Sequence, residues 1–559
     1  MFVMLHKFLK QPIYFIAITV IFVMQSCSDK VLDVQPRDRL TDATVWTDPG
    51  AADLFLNDIY TGLPDGNNWY DPIENWSDNS ICGFAWPTSR GLIQQSLQSP
   101  SNANVSGDIG GPYDWTTLYT DIRKCNVFIK NVTASASLAD DFKKEKIAEA
   151  RTLRAYFYQN LFMMFGGVPI ITEVLNIDVQ GDSVFRPRNT YDETLQFIQT
   201  ECLAAYNDLP DMPSSGRVGK GAALVIKGWC ELYAGKYAEA AATNKKIMDE
   251  LPYELDADYA ALFLTKGAGS KEAILYREYN PPGQGKGAFL DGTIGPTFTK
   301  NGAETSWGGV NPTQELVDDY AMDNGKVISD PTSGYNPQKP YEHREQRFYQ
   351  SIVYDGSYFY NDTIFTRKGI GSKNEIDLTD RDDASQTGYY MRKRLDDKTL
   401  VLGAANWGGY TSYQNYIIYR FADVLLNYAE AQNEASGPDA TVYSAVNKIR
   451  NRSALPNLPE GLSQADMRTA IRRERRIEFA FEDKRFWDLL RWHIAEVNLN
   501  HPLHGISITV GANGVLQYAP VEAKGGDRKF YAEKNYLFPI PQSVIDKNPQ
   551  LKGHQNPGY

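Results

Sequence analysis

The chain has 559 residues, enough to bury a large core, and its 69 acidic against 57 basic residues leave a formal charge of −12. That balance excludes a nucleic-acid-binding role, which needs a basic face. Five cysteines in so long a chain exclude a disulfide-built scaffold. The surplus is aromatic, with 34 Tyr, 25 Phe and 10 Trp; such rings fill cores and also hold ligands that present flat apolar faces.

Residues 1–26 carry His6, Lys7 and Lys10, then an apolar run from Ile13 to Met24, then Gln25 and Ser26 ahead of Cys27. This is the pattern of a secretory signal with its cleavage point. The run is shorter than the roughly 20 residues that a membrane-spanning helix needs. Val23-Met24-Gln25-Ser26-Cys27 resembles a bacterial lipobox, with Gln25 in place of the usual small residue. It predicts that Cys27 is acylated and opens the mature protein, against the alternative of an ordinary secreted chain. Each buried methylene contributes ~0.8 kcal/mol, so a multiply acylated Cys27 would hold the protein on a membrane. Cys82, Cys125, Cys202 and Cys230 lack CxxC or zinc-site spacing and read as buried thiols, with one disulfide left open.

Helical spacing then appears in chain order. In "KEKIAEARTLRAYFYQNLFMMFG", Ala150, Leu153, Phe157, Leu161 and Met164 line one face, and Gly166-Gly167-Val168-Pro169 stops the helix. "TYDETLQFIQTECLAAYNDL" supplies another. "GRVGKGAALVIKGWCELYAGKYAEAAATNKKIMDEL" reads as two helices turning at Gly235, close enough through Ala222, Ala223 and Gly228 to form a tetratricopeptide-type hairpin. "YIIYRFADVLLNYAEAQNEASG" and "PDATVYSAVNKIRNRS" make a second pair that breaks at Ser436-Gly437-Pro438, and "LSQADMRTAIRRERRIEFAFEDKRFWDLLRW" adds a long helix and a short one. The predicted fold is mostly α, with such hairpins packed against an irregular, loop-rich region that has a few short strands. The expected frame covers about 40–63, 113–250 and 417–495 of a single domain spanning 27–559; the loop-rich parts are 64–112, 280–415 and the C-terminal 496–559.

Within the last helices, Arg472, Arg473, Arg475 and Arg476 alternate with Glu474, Glu478, Glu482 and Asp483, which predicts intrahelical ion pairs rather than a polyanion site. Trp115, Trp229, Trp487 and Trp492 sit at helical positions and are assigned to packing. Trp69, Trp76, Trp86, Trp307 and Trp407 differ, because each lies in a Gly- or Pro-rich stretch without periodicity. "NWSDNSICGFAWPTSR" sets Trp76 and Trp86 beside Asp78, Asn79 and Arg90, a mixture of ring platforms and hydrogen-bonding groups. A pyranose suits that mixture: its C–H face stacks on an indole while its hydroxyls need polar partners. The expected ligand-binding residues are therefore Trp69, Trp76, Asp78, Asn79, Trp86, Arg90, Trp307 and Trp407. No HExxH, GxSxG or Walker A sequence is present, so neither a metal, a catalytic residue nor a cofactor is expected. A glycoside hydrolase, needing two carboxylates about 5–10 Å apart, is the competing enzyme reading.

"AEARTLRAYFYQNLFMMFGGVPIIT", "NPTQELVDDYAMDNGK", "YIIYRFADVLLNYAEAQNEA", "RRERRIEFAFEDKRFWDLLRW" and the ending "NYLFPIPQSVIDKNPQLKGHQNPGY" resemble, in this order, the SusD/RagB family of Bacteroidota surface lipoproteins. The resemblance covers nearly all of the mature chain. It implies a non-catalytic protein, lipid-anchored at the outer membrane and facing the cell exterior, that captures oligosaccharide or polysaccharide as the lid of a TonB-dependent SusC-like transporter. Asp29, beside Lys30, fits the acidic surface-export signal of such lipoproteins. A peptide ligand, or a transporter-associated scaffold without its own small ligand, is the alternative within this reading.

Overall fold

The helical frame runs α1 (Pro49–Tyr60), α2 (Trp115–Ala134), α3 (Asp140–Phe165), α4 (Tyr191–Tyr206), α5 (Lys220–Tyr233), α6 (Tyr237–Glu250), α7 (Phe421–Ser436), α8 (Ala440–Arg452), α9 (Gln464–Glu478) and α10 (Arg485–Arg491). This computed structural model describes residues 42–64, 72–87, 90–103, 113–214, 216–264, 269–279, 294–300, 303–305, 307–359, 362–379, 384–396 and 414–559. Cys27, Trp69 and Trp407 lie outside the described residues.

Side-chain caps fix several helix starts. Asp48, Asp114 and Asp439 accept from first-turn amides of α1, α2 and α8, and Ser463 does so for α9. Thr190 and Glu193 form a reciprocal capping box at α4. From α2 to α8, helices consecutive in the chain pack side by side, and α9 also lies against α7. Their facing stripes merge into one core that runs from Leu56 of α1 through Phe157 of α3, Trp229 of α5 and Leu425 of α7 to Trp487 of α10. Burying one such large apolar side chain contributes about 1.5–3 kcal/mol. Trp115, Trp229, Trp487 and Trp492 are all buried, as their helical spacing predicts.

Short antiparallel strand pairs stitch the remaining segments to this frame: β1 (Ser80–Cys82), β2 (Ala273–Arg277), β3 (Val310–Pro312), β4 (Tyr416–Arg420), β5 (His504–Val510) and β6 (Leu516–Glu522). β1 pairs with β3, β2 with β4 through a bulge, and β5 with β6 as a hairpin. The stretch expected to be loop-rich between 294 and 396 builds a second core, in which Tyr320, Tyr341, Phe348, Tyr389 and Tyr390 pack together. Much of the aromatic surplus is spent there rather than on the surface. Cys82, Cys125, Cys202 and Cys230 are buried free thiols.

The charged run of α9 departs from expectation in its partners. Its glutamates are claimed by basic residues from elsewhere in the chain. Glu478 takes Arg347 at 2.9 Å, Arg420 at 2.6 Å and Arg452, while Glu474 takes Arg347 at 2.7 Å and Arg450 at 3.2 Å. Arg475 pairs with Asp488 and Glu430, and Arg476 with Asp78 and Asp319. Burial explains the difference. An i,i+4 pair leaves most of each group's lone pairs and protons to water, and a buried ion must find all its partners in the protein.

Candidate functional site

The turn that follows β1 carries the most exposed tryptophan among the described residues. Phe84 and Trp86 are two residues apart, and the bend at Ala85 between them brings their rings together. Their centroids are 5.6 Å apart with an interplanar angle of 29°. Phe84 is buried and Trp86 is 50% exposed, so a buried ring backs a half-exposed one. Arg90 closes the turn twice: its backbone N–H donates to the Pro87 carbonyl at 3.2 Å and its Nη1 to the Phe84 carbonyl at 3.1 Å.

The register of β1 and β3 brings a second predicted residue to the same end of the ribbon. Cys82 lies opposite Val310, and the Gly83 N–H donates to the Gly309 carbonyl at 3.2 Å, so the next positions outward are Phe84 to Trp86 on one strand and Trp307 on the other. Trp307 is half-buried. The two strands approach closely here because Gly83 has no side chain. A Cβ on it would lie 1.8 Å from the Gly308 carbonyl oxygen.

Three of the expected ligand residues are instead structural. Trp76 is 1% exposed and lies edge-on to Phe486 at 5.5 Å, with Tyr113 and Phe538 around it, so no ring face remains for a sugar. Asp78 is buried and receives Arg485 Nε and Nη2 at 2.7 and 2.8 Å, Asn498 Nδ2 at 3.0 Å, and Arg476 at 3.3 Å. Burial alone would raise the Asp78 carboxyl, yet the guanidiniums of Arg476 and Arg485 outweigh it and hold the group well below the usual carboxylate range. Asn79, fully buried, donates to Glu74 Oε1 at 2.7 Å and accepts from Arg476 Nε at 2.8 Å. Glu74 and Asp483 exchange backbone N–H bonds with each other's carboxylates, at 3.0 and 3.2 Å. Burial pushes the Glu74 carboxyl up to about 7, and the Asp483 charge adds to the rise. The segment 73–79 is therefore a buried fastening between the frame and the turn that carries Trp86.

Sequence reasoning missed Phe84 and the glycines that shape the turn. The aromatic-x-aromatic spacing of Phe84 and Trp86 is the signal that marks a ring held by a ring. Two larger surface clefts lie away from this turn. One of about 510 Å³, at the ends of α1 and β2, is lined by Tyr60, Arg217, Tyr276 and Arg277. The other, of about 590 Å³, flanks α2 beside Arg123, Lys130 and Val179. Among the described residues, no group of three or more His, Cys, Asp or Glu could hold a metal ion. His504 pairs with Glu315 at 2.7 Å.

Known proteins of the same architecture bear on this geometry. The SusD family model matches residues 271–559, and a family described as starch-binding associating with outer membrane matches residues 54–226. A SusD-like protein P2 of Formosa agariphila is 27% identical over 505 residues, covering 86% of this chain and 81% of its own length. The crystal structure of a SusD-like protein from Bacteroides fragilis is 29% identical, with a TM-score of 0.77 over 94% of this chain and 100% of that one. A SusD-like carbohydrate binding protein from the same organism is 27% identical, with a TM-score of 0.76 over 91% of this chain and all of that one. Since the family model spans residues 271–559 of 559, more than half of its length, the chain belongs to the SusD family.

Proposed function

We propose that this protein is a non-catalytic glycan-capture lipoprotein of the outer membrane. Anchored through Cys27 and facing the cell exterior, it binds oligosaccharide or polysaccharide and passes it to a TonB-dependent SusC-like transporter. Family membership, the starch-binding description of the matched N-terminal family and the carbohydrate-binding relative support this reading. The observation that carries it is Trp86. A half-exposed indole backed by a buried ring is a rigid platform of the kind a pyranose C–H face needs, and a rigid ring gives up little entropy on binding. Arg90 at the base of the turn and Trp307 at the end of the facing strand are the companion residues.

Stacking adds about 0.5–1.5 kcal/mol per ring beyond area burial. Trp86→Ala, which also loses the buried area, is expected to weaken binding of any glycan ligand by about tenfold or more while leaving the unfolding free energy within about 0.5 kcal/mol of wild type. Calorimetric titration against a panel of neutral, uronic and sulfated polysaccharides and peptides provides the measurement. Silence across all glycans, or affinity indifferent to Trp86, would remove the basis for this function.

A further inference from the structure

The guanidinium of Arg90 is used only in part. One nitrogen, Nη1, holds the Phe84 carbonyl, and among the described residues no carboxylate is paired with the side chain. Arg90 is only part-buried, and its Nε and Nη2 are not among the buried polar groups that lack a partner, so these donors reach solvent. Many arginines of this acidic chain are ion-paired, among them Arg347, Arg420, Arg475, Arg476, Arg485 and Arg491, while Arg188 and Arg344 are spent on three carbonyls each; Arg90 holds one carbonyl.

The neighbouring backbone leaves room for this side chain. A Cβ on Gly525 would lie 1.9 Å from Arg90 Nη2 and 2.5 Å from its Cζ, and Gly525 has φ +73°, a conformation that side-chain-bearing residues rarely adopt. The planar group thus lies against a bare Cα, in a stretch that carries the exposed Lys524 and Lys529 together with the exposed acids Glu522 and Asp527. Segment 525–529 runs along the Arg90 turn, where Gln95 Nε2 donates to the Asp527 carbonyl and the Lys529 N–H to the Gln94 carbonyl.

We propose that the Trp86 turn selects acidic saccharides, with Nε and Nη2 of Arg90 receiving an oxyanion of the sugar stacked on Trp86, either the carboxylate of a hexuronate or a sulfate ester. This inference rests on the glycan-capture reading and names the substrate class of the same site. The chemistry fits the side chain. A planar guanidinium offers parallel N–H donors that match two oxygens of a carboxylate or sulfate, and such charge-assisted bonds are about twice as strong as neutral ones. A neutral sugar engages one donor at a time and leaves the charge unanswered.

The test begins with the full chain on an array of neutral, uronic and sulfated oligosaccharides, followed by calorimetry on every binder that Trp86→Ala abolishes. Uronic and sulfated arms distinguish the source of the oxyanion, and methyl esters of the uronic binders remove the charge while keeping the ring. The Trp86-dependent binders are expected to be acidic and to lose about tenfold to a hundredfold in affinity on methyl esterification or in Arg90→Gln. That variant keeps an amide donor for the Phe84 carbonyl. Gly525→Ala displaces the guanidinium without removing it and is expected to weaken the same ligands, and salt is expected to weaken the wild type more than Arg90→Gln. Neutral binders that depend on Trp86 but are indifferent to Arg90 would overturn the acidic selection and leave glycan capture standing. No glycan binder at all would overturn both.

Discussion

At the scale of single residues, Trp76 and Trp86 show how far composition can mislead. They lie ten positions apart in one Gly-, Pro- and Asn-rich stretch, and one is core while the other faces solvent. Nothing in the local sequence separates them, because Trp76 is enclosed by Phe486 and Phe538, more than 400 positions downstream. Glu74 belongs to the same buried segment and gives a pH prediction. Its carboxyl is raised from 4.5 to about 7 in the folded state, so folding takes up a proton there. Its contribution to stability is best below the unfolded value near 4.5, falls as pH rises through about 7, and levels off above. Chemical denaturation of wild type and Glu74→Gln across pH 4 to 8.5 is expected to show a stability difference that shifts in favour of the variant over that window. A difference independent of pH would mean that Glu74 ionises freely.

At the scale of elements, the helices were legible and the partners of the strands were not. α3, the α5–α6 hairpin, the α7–α8 pair and α9 follow from apolar periodicity and from breakers such as Gly166 and Gly437, signals that act within a dozen residues. β1 and β3 are three residues each, and the pairing that joins them spans about 230 positions. A three-residue strand holds too little pattern to name its mate. The aromatic-rich stretch around Phe348 and Tyr389 read as loop-rich because its core is built from short pieces with no common period. The close approach of β1 and β3 is the element on which the Trp86 turn depends. Gly83→Ala would force its Cβ against the Gly308 carbonyl, with an expected loss of about 1–3 kcal/mol in urea unfolding, as overpacking costs elsewhere. Glycan affinity should fall with it even though no ligand contact is touched. Full retention of both would show that the ribbon tolerates splaying.

At the scale of the whole molecule, a helical frame carries one displayed turn, and the proposed function adds an anchor at Cys27. The anchor proposal is testable directly. Cys27→Ser is expected to abolish incorporation of labelled fatty acid and move the protein from the membrane fraction to the soluble one, and unchanged fractionation would exclude acylation at that residue. Family and fold followed from ordered motifs and helical patterning along the chain. The candidate turn was legible only in part, since Trp86, Trp307 and Arg90 were named together with Trp76, Asp78 and Asn79, which the fold buries. The union of Asp78 with Arg485, across some 400 positions, together with the bonds from Arg528 to the carbonyls of Asn75 and Ser80, sets an order of events. A ribosome must deliver almost the entire polypeptide before residues 73–90 can settle, because their clamps are among the last side chains made. Long-range closure of this kind is slow compared with the local helices. A chain cut short before residue 485 would therefore hold α1 to α9 while residues 73–79 stood without the side chains that fasten them.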